Sequence, residues 1–133
     1  MSERVYEASD KLLYDVLGYV EEELEKLDCP MKTLMQISVC TEEIFVNIAH
    51  YAYAGSTGDM KLSIVPENGG VKMVFSDHGI PFDPLAREDP DISLPAEERD
   101  AGGLGIYMVK QTMDETAYRY EDGQNIFTIF KKF

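Results

Sequence analysis

With 133 residues, 44% of them hydrophobic and 28% charged, the chain has the make-up of one globular domain, 1–133, able to bury a single core without staples. Its net charge of -13 offers no basic stripe to neutralise phosphates or to meet an anionic bilayer, which argues against nucleic acid and membrane surfaces as partners. Cys29 and Cys40 form no metal or redox spacing, and two thiols without a secretory leader fit a reducing cytoplasm.

Glu3–Ala8 alternates Val5 against charged neighbours and predicts a short first strand; Ser9 follows as a helix N-cap. Leu13, Val16, Leu17, Val20, Leu24 and Leu27 recur at helical spacing, so a first helix is expected from Asp10 to about Leu27. Pro30 suits the first turn of a second helix running from about Met31 to Ala52, with Leu34, Met35, Ile37, Ile44, Phe45 and Ile48 on its core face and Gly55 and Gly58 past its end. Met60–Val65 and Val71–Phe75 alternate around Asn68-Gly69-Gly70 and predict a hairpin. Leu85–Ala101 is polar, broken by proline and long for a loop, the profile of a lid or a disordered segment. Gly102-Gly103-Leu104-Gly105 opens a third helix carrying Ile106, Met108, Val109 and Met113, and Glu115–Tyr120 and Asn125–Phe130 close the chain as strands around Asp122-Gly123. The order β-α-α-β-β-loop-α-β-β predicts an α+β two-layer sandwich, a mixed, mostly antiparallel sheet covered on one face by helices.

Three stretches carry chemistry. Glu43 and Asn47 are four apart on the second helix and so share a face, where a carboxylate and an amide oxygen suit a hard cation such as Mg²⁺. The same spacing also describes an ordinary solvated helix face. Asp77-x-Gly79 ends a strand: the glycine permits close approach of a flat ligand and the aspartate accepts from an exocyclic amine, although an Asx turn has the same pattern. Gly102–Gly105 sets backbone N–H groups at a helix start, an anion cradle or simply a cap; it lacks the Lys-Ser/Thr of a P-loop and the parallel βαβ unit of a dinucleotide fold.

Taken in order, Glu43…Asn47, Asp77-x-Gly79-x-Pro81-Phe82, a lid and Gly103-x-Gly105 resemble the histidine-kinase-like ATPases (GHKL or Bergerat fold) over nearly the whole chain, most closely the stand-alone anti-sigma-factor serine/threonine kinases. That resemblance implies the Bergerat two-layer fold with ATP and Mg²⁺ as cofactors. It implies Asn47 as the Mg²⁺ ligand, Glu43 as general base, Asp77 with Gly79 as the adenine reader, and Gly103, Leu104 and Gly105 as the phosphate box. Arg99 resembles an arginine that reaches the terminal phosphate, though Asp100 and Ala101 separate it from the glycines. Many relatives carry a histidine four residues after the asparagine; Tyr51 stands there, with His50 one place earlier, so His50 receives no role, and Lys110 is either near the phosphates or, the reading preferred, merely solvated. The resemblance further implies a sigma factor and a small antagonist protein as partners, and a homodimer. The expected function is phosphorylation of the antagonist with sequestration of the sigma factor; the alternative is a non-catalytic ATP-binding module that signals nucleotide state to a protein partner.

Overall fold

The computed structural model describes residues 1–86 and 104–133. Most of the expected lid, with Arg99 and Gly103, lies outside the described residues, and of Leu104 only the backbone is described.

The elements follow the expected order: β1 (Ser2–Glu7), α1 (Leu13–Lys26), α2 (Met31–Tyr51), β2 (Asp59–Glu67), β3 (Gly70–Asp77), α3 (Leu104–Thr112), β4 (Glu115–Glu121) and β5 (Gln124–Lys132). Short 3₁₀ turns occupy Asp10–Leu12 and Pro84–Ala86. Ser9 does cap, but it caps the first of these turns, its side chain accepting from the Lys11 N–H, so α1 proper begins three residues later than the periodicity suggests. Both hairpin turns place an Asx-Gly pair at positive φ, Asn68 at 47° with Gly69 at 75° and Asp122 at 53° with Gly123 at 77°. This is the conformation whose twist matches the flanking strands, and it fixes the registers Glu67↔Gly70 and Glu121↔Gln124. Pro66 sits inside β2 but past the reach of β1, where the strand is paired on one side only and a missing N–H is tolerated.

The sheet runs β1-β2-β3-β5-β4. All four ladders are antiparallel, where a mixed sheet was expected. The connection through α3 does join two strands that point the same way, β3 and β4. However, β5 folds back between them, so no parallel ladder forms. Met60, Leu62 and Ile64 of β2, Val71, Met73 and Phe75 of β3, and Phe127 and Ile129 of β5 form one core with Val16, Val20 and Leu24 of α1, Ile37, Ile44 and Phe45 of α2, and Val109 of α3. The helices therefore lie on one face, and the period-2 strand pattern meets the 3.6-period helix pattern there.

Two core assignments change. Met35 is 61% exposed, because it lies about 100° around α2 from Leu34 and falls on the outer stripe with Met31 and Val39. Tyr19, absent from the expected core, is only 2% exposed. Its hydroxyl meets Ser2 Oγ at 2.7 Å and Arg4 stacks over its ring at 4.5 Å, so the edge strand β1 is fastened to α1 through one phenol. Burial pushes that phenol above the ordinary tyrosine range, which keeps it a neutral hydrogen-bonding group. Tyr19→Phe is expected to lower unfolding stability by about 1 kcal/mol and Tyr19→Ala by about 3–5 kcal/mol, measured by urea denaturation.

Candidate functional site

The strand register lines up Tyr6, Met60, Asp77, Asn125 and Tyr120 as one row on the helix-facing side, at the end of the sheet where the α2 C-terminus arrives. Beneath it opens a cavity lined by Ile44, Asn47, Ile48, Phe75, Ile106 and Phe127, with Asp77 and Asn125 among its few polar groups. It is partly open to solvent. Its walls are almost entirely apolar, and Tyr51, Ile80 and Phe82 stand exposed at its rim. Such a slot fits a flat aromatic ligand that presents a hydrogen-bond donor to the carboxylate.

Asp77 is only 5% exposed, and a buried carboxylate has to be hydrogen-bonded. Its Oδ1 accepts from the Gly79 N–H at 2.9 Å and from Asn125 Nδ2 at 2.9 Å. Asn125, 7% exposed, escaped the sequence reading. The available signal was its parity: it lies two and four residues before Phe127 and Ile129, on the core face, where an unpartnered amide would be costly. Gly79 is needed for a close approach, but to the protein itself. A Cβ there would drive into the carbonyl of Ala52, which accepts from the Ile80 N–H at 2.8 Å, so the segment after β3 is pressed against the end of α2.

Glu43 and Asn47 divide the work that their spacing left joined. Asn47 lines the cavity, whereas Glu43, one turn earlier and half-buried, faces the α2/α3 seam. There its carboxylate fills the space that a side chain at Gly105, in the first turn of α3, would take. The structure therefore brings Asn47 and Asp77 to the cavity, keeps Gly79 behind Asp77 against the end of α2, and sets Glu43 against Gly105. Arg99 and Gly103 lie outside the described residues. Cys40, one turn before Glu43, is buried; burial raises its thiol, and the nearby Glu43 charge raises it further, so it is no nucleophile here. His50 is hydrogen-bonded to Asp10 at 2.8 Å, tying the end of α2 to the turn before α1, and Lys110 is half-buried rather than simply solvated.

A family model described as the histidine kinase-like ATPase domain matches residues 6–131. A serine-protein kinase RsbW of Bacillus thuringiensis (strain Al Hakam) is 26% identical over 94 residues, spanning 68% of this chain and 59% of the relative. Its namesake in Bacillus anthracis (strain CDC 684 / NRRL 3495) is 24% identical over the same length and coverage. This chain thus spans about three fifths of the length of the curated relatives it matches. Among solved structures, the RsbU and RsbW domains of Rv1364c from Mycobacterium tuberculosis superpose with a TM-score of 0.65 at 13% identity, over 99% of this chain and 32% of that one. The histidine kinase domain from Erythrobacter litoralis EL346 blue-light activated histidine kinase gives 0.53 at 16% identity, over 93% of this chain and 63% of that one. Both structures show the fold.

The two glycines predict opposite behaviour. At Gly79 an added methyl meets backbone, which has nowhere to go, so Gly79→Ala should destabilise by about 1–3 kcal/mol. At Gly105 it meets the free end of Glu43, which can swing aside while alanine adds helix propensity, so Gly105→Ala should stay within about 1 kcal/mol of wild type. Chemical denaturation of both variants checks the contrast.

Proposed function

The chain belongs to the histidine kinase-like ATPase family, and from that premise we propose that it binds ATP with Mg²⁺ and transfers the terminal phosphoryl group to a serine or threonine of a small antagonist protein, alternating this with sequestration of a sigma factor. The observation that carries the reading is the cavity itself: an apolar slot with one buried carboxylate at its floor and the Asn47 amide on its wall, flanked by Glu43 at the first turn of α3. The relatives named as serine-protein kinases support transfer to a protein hydroxyl.

The residues fit that cofactor pair. Asp77 offers an acceptor, which matches the exocyclic amine of adenine and opposes the carbonyl that guanine carries at the same ring position. Ile44, Ile48, Ile106 and Phe127 supply the apolar faces for a base. Mg²⁺ keeps several waters and takes few protein ligands, so the single amide oxygen of Asn47 suffices on the protein side. When bound, the metal–nucleotide pair supplies the phosphoryl group and neutralises the charge on its oxygens. Glu43 accepts the proton of the incoming serine or threonine hydroxyl, and the α3 N-terminus, from Leu104 and Gly105, orients backbone N–H groups toward negative charge. Gly103 and Arg99 are proposed to extend that cradle. Location in the cytoplasm and a homodimeric state belong to the same proposal.

Asn47→Ala is expected to bind ATP-Mg²⁺ poorly, because it removes the one protein oxygen on the metal. Glu43→Ala is expected to keep its ATP affinity but to transfer phosphate about 10²–10⁴-fold more slowly, the usual cost of losing a positioned base. Calorimetric ATP titration and labelled phosphotransfer to a candidate antagonist protein, run on wild type and both variants, test this. Wild-type rates in Glu43→Ala would overturn the kinase mechanism. An Asn47 defect with no labelled product from any of the three proteins would instead identify a non-catalytic ATP-binding module.

A further inference from the structure

We propose that Asn125 is the positioning residue that makes the nucleotide site selective: it acts through Asp77, holding the carboxylate so that the site presents an acceptor and nothing else to the base. The inference rests on the nucleotide reading above and adds to it a residue whose polar atoms are all bonded to the protein.

An asparagine side chain has two N–H donors and an oxygen with two lone pairs. In Asn125 all four are used. Nδ2 donates to Asp77 Oδ1 at 2.9 Å and to the Ile80 carbonyl at 2.8 Å. Oδ1 accepts from the Phe82 N–H at 3.1 Å and from the Tyr118 hydroxyl at 2.5 Å. The network also fixes which way the amide points. Turned over, it would set oxygen against both Asp77 and Ile80 and aim its N–H groups at the Phe82 N–H. No hydrogen-bonding capacity remains for a ligand, so any polar effect of Asn125 on binding passes through its neighbours.

Asp77 is the neighbour that matters. Gly79 N–H and Asn125 Nδ2 together fill Oδ1, which leaves Oδ2 as the atom that the carboxylate offers to the cavity. Donors from two directions on Oδ1 pin the carboxylate plane, and the Asp77↔Asn125 pairing in the central ladder keeps both side chains on the same face and directly opposite. The Ile80 and Phe82 backbone is tied into the same amide, so the segment leaving β3 toward the rim is held in register with the carboxylate. Tyr118 closes the network from β4, and burial keeps its phenol protonated and donating.

Asn125→Asp is the sharpest probe. It keeps the oxygen that accepts from Phe82 and Tyr118 but replaces the amine with a second oxygen facing Asp77. Two carboxylates at that distance share a proton, so the pair now offers a donor as well as acceptors. The expected result is a fall of about tenfold or more in the preference for ATP over GTP, the worth of one charge-assisted hydrogen bond, read by calorimetric titration of both nucleotides with Mg²⁺. Phe82 amide exchange should remain slow in the unliganded variant, reporting an intact fold. A merely structural asparagine predicts that both affinities fall by one common factor, and an unchanged ratio overturns the proposal. Tyr118→Phe, which removes one bond to the amide while keeping the ring, should lower the preference severalfold. It decides the matter by the same ratio if Asn125→Asp does not fold. Wild type that binds neither nucleotide, or both equally, refutes the nucleotide reading and this inference together. Wild type that prefers ATP with variants that keep the preference refutes this inference alone.

Discussion

A carboxylate buried at the end of a central strand is stable only if donors surround it, and Asp77 obtains both of its donors from the fold rather than from solvent. One is the Gly79 N–H, two residues on; the other is Asn125, 48 positions away in sequence and directly opposite in the β3–β5 ladder. The pair exists only because β5 returns between β3 and β4. The antiparallel topology, the β3–β5 register and the chemistry of the cavity floor are therefore one constraint seen at three scales. Shifting β5 by one residue would carry Asn125 to the open face and leave Asp77 with a single donor.

Around this floor, α2 serves two surfaces at once. Its 3.6-residue period places Ile37, Ile44 and Phe45 in the core, while Asn47 turns toward the cavity and Glu43 toward α3. The contact between the Glu43 carboxylate and the first turn of α3 links the acid to the element that opens the glycine-rich stretch. A carboxylate at a helix N-terminus is favoured by the exposed N–H groups there, the same groups that suit a phosphate.

Much of this architecture was legible in the sequence, for identifiable physical reasons. Long periodic runs such as Leu13–Leu24 and Leu34–Ile48 announce helices because many positions repeat the same demand, and Asn68-Gly69 announces a hairpin because few pairs tolerate two positive φ values in a row. Of the residues the family likeness singled out, Asn47 and Asp77 line one cavity. Other features were hidden because their meaning is non-local. Asn125 looks like the polar start of a strand until its ladder partner is known. Tyr19 stands outside the aliphatic repeat of α1 and is buried only once β1 is folded against it. Gly79 suggested an approach to a ligand, yet its nearest neighbour is the Ala52 carbonyl, a contact no local pattern announces. Met35 lies outside the core because α2 also carries an exposed apolar stripe of Met31, Met35 and Val39.

Adenine nucleotide is proposed to occupy the slot between α2 and the Asp77–Asn125 end of the sheet. Titrating the isotope-labelled protein with ATP-Mg²⁺ and mapping backbone amide shifts tests it most directly. The largest saturable shifts should fall on Asn47, Ile48, Asp77, Gly79, Phe82 and Asn125, with Val5, Val74 and Thr128 on the opposite face of the sheet unmoved. Shifts confined to that opposite face, or none at millimolar ATP, would contradict it.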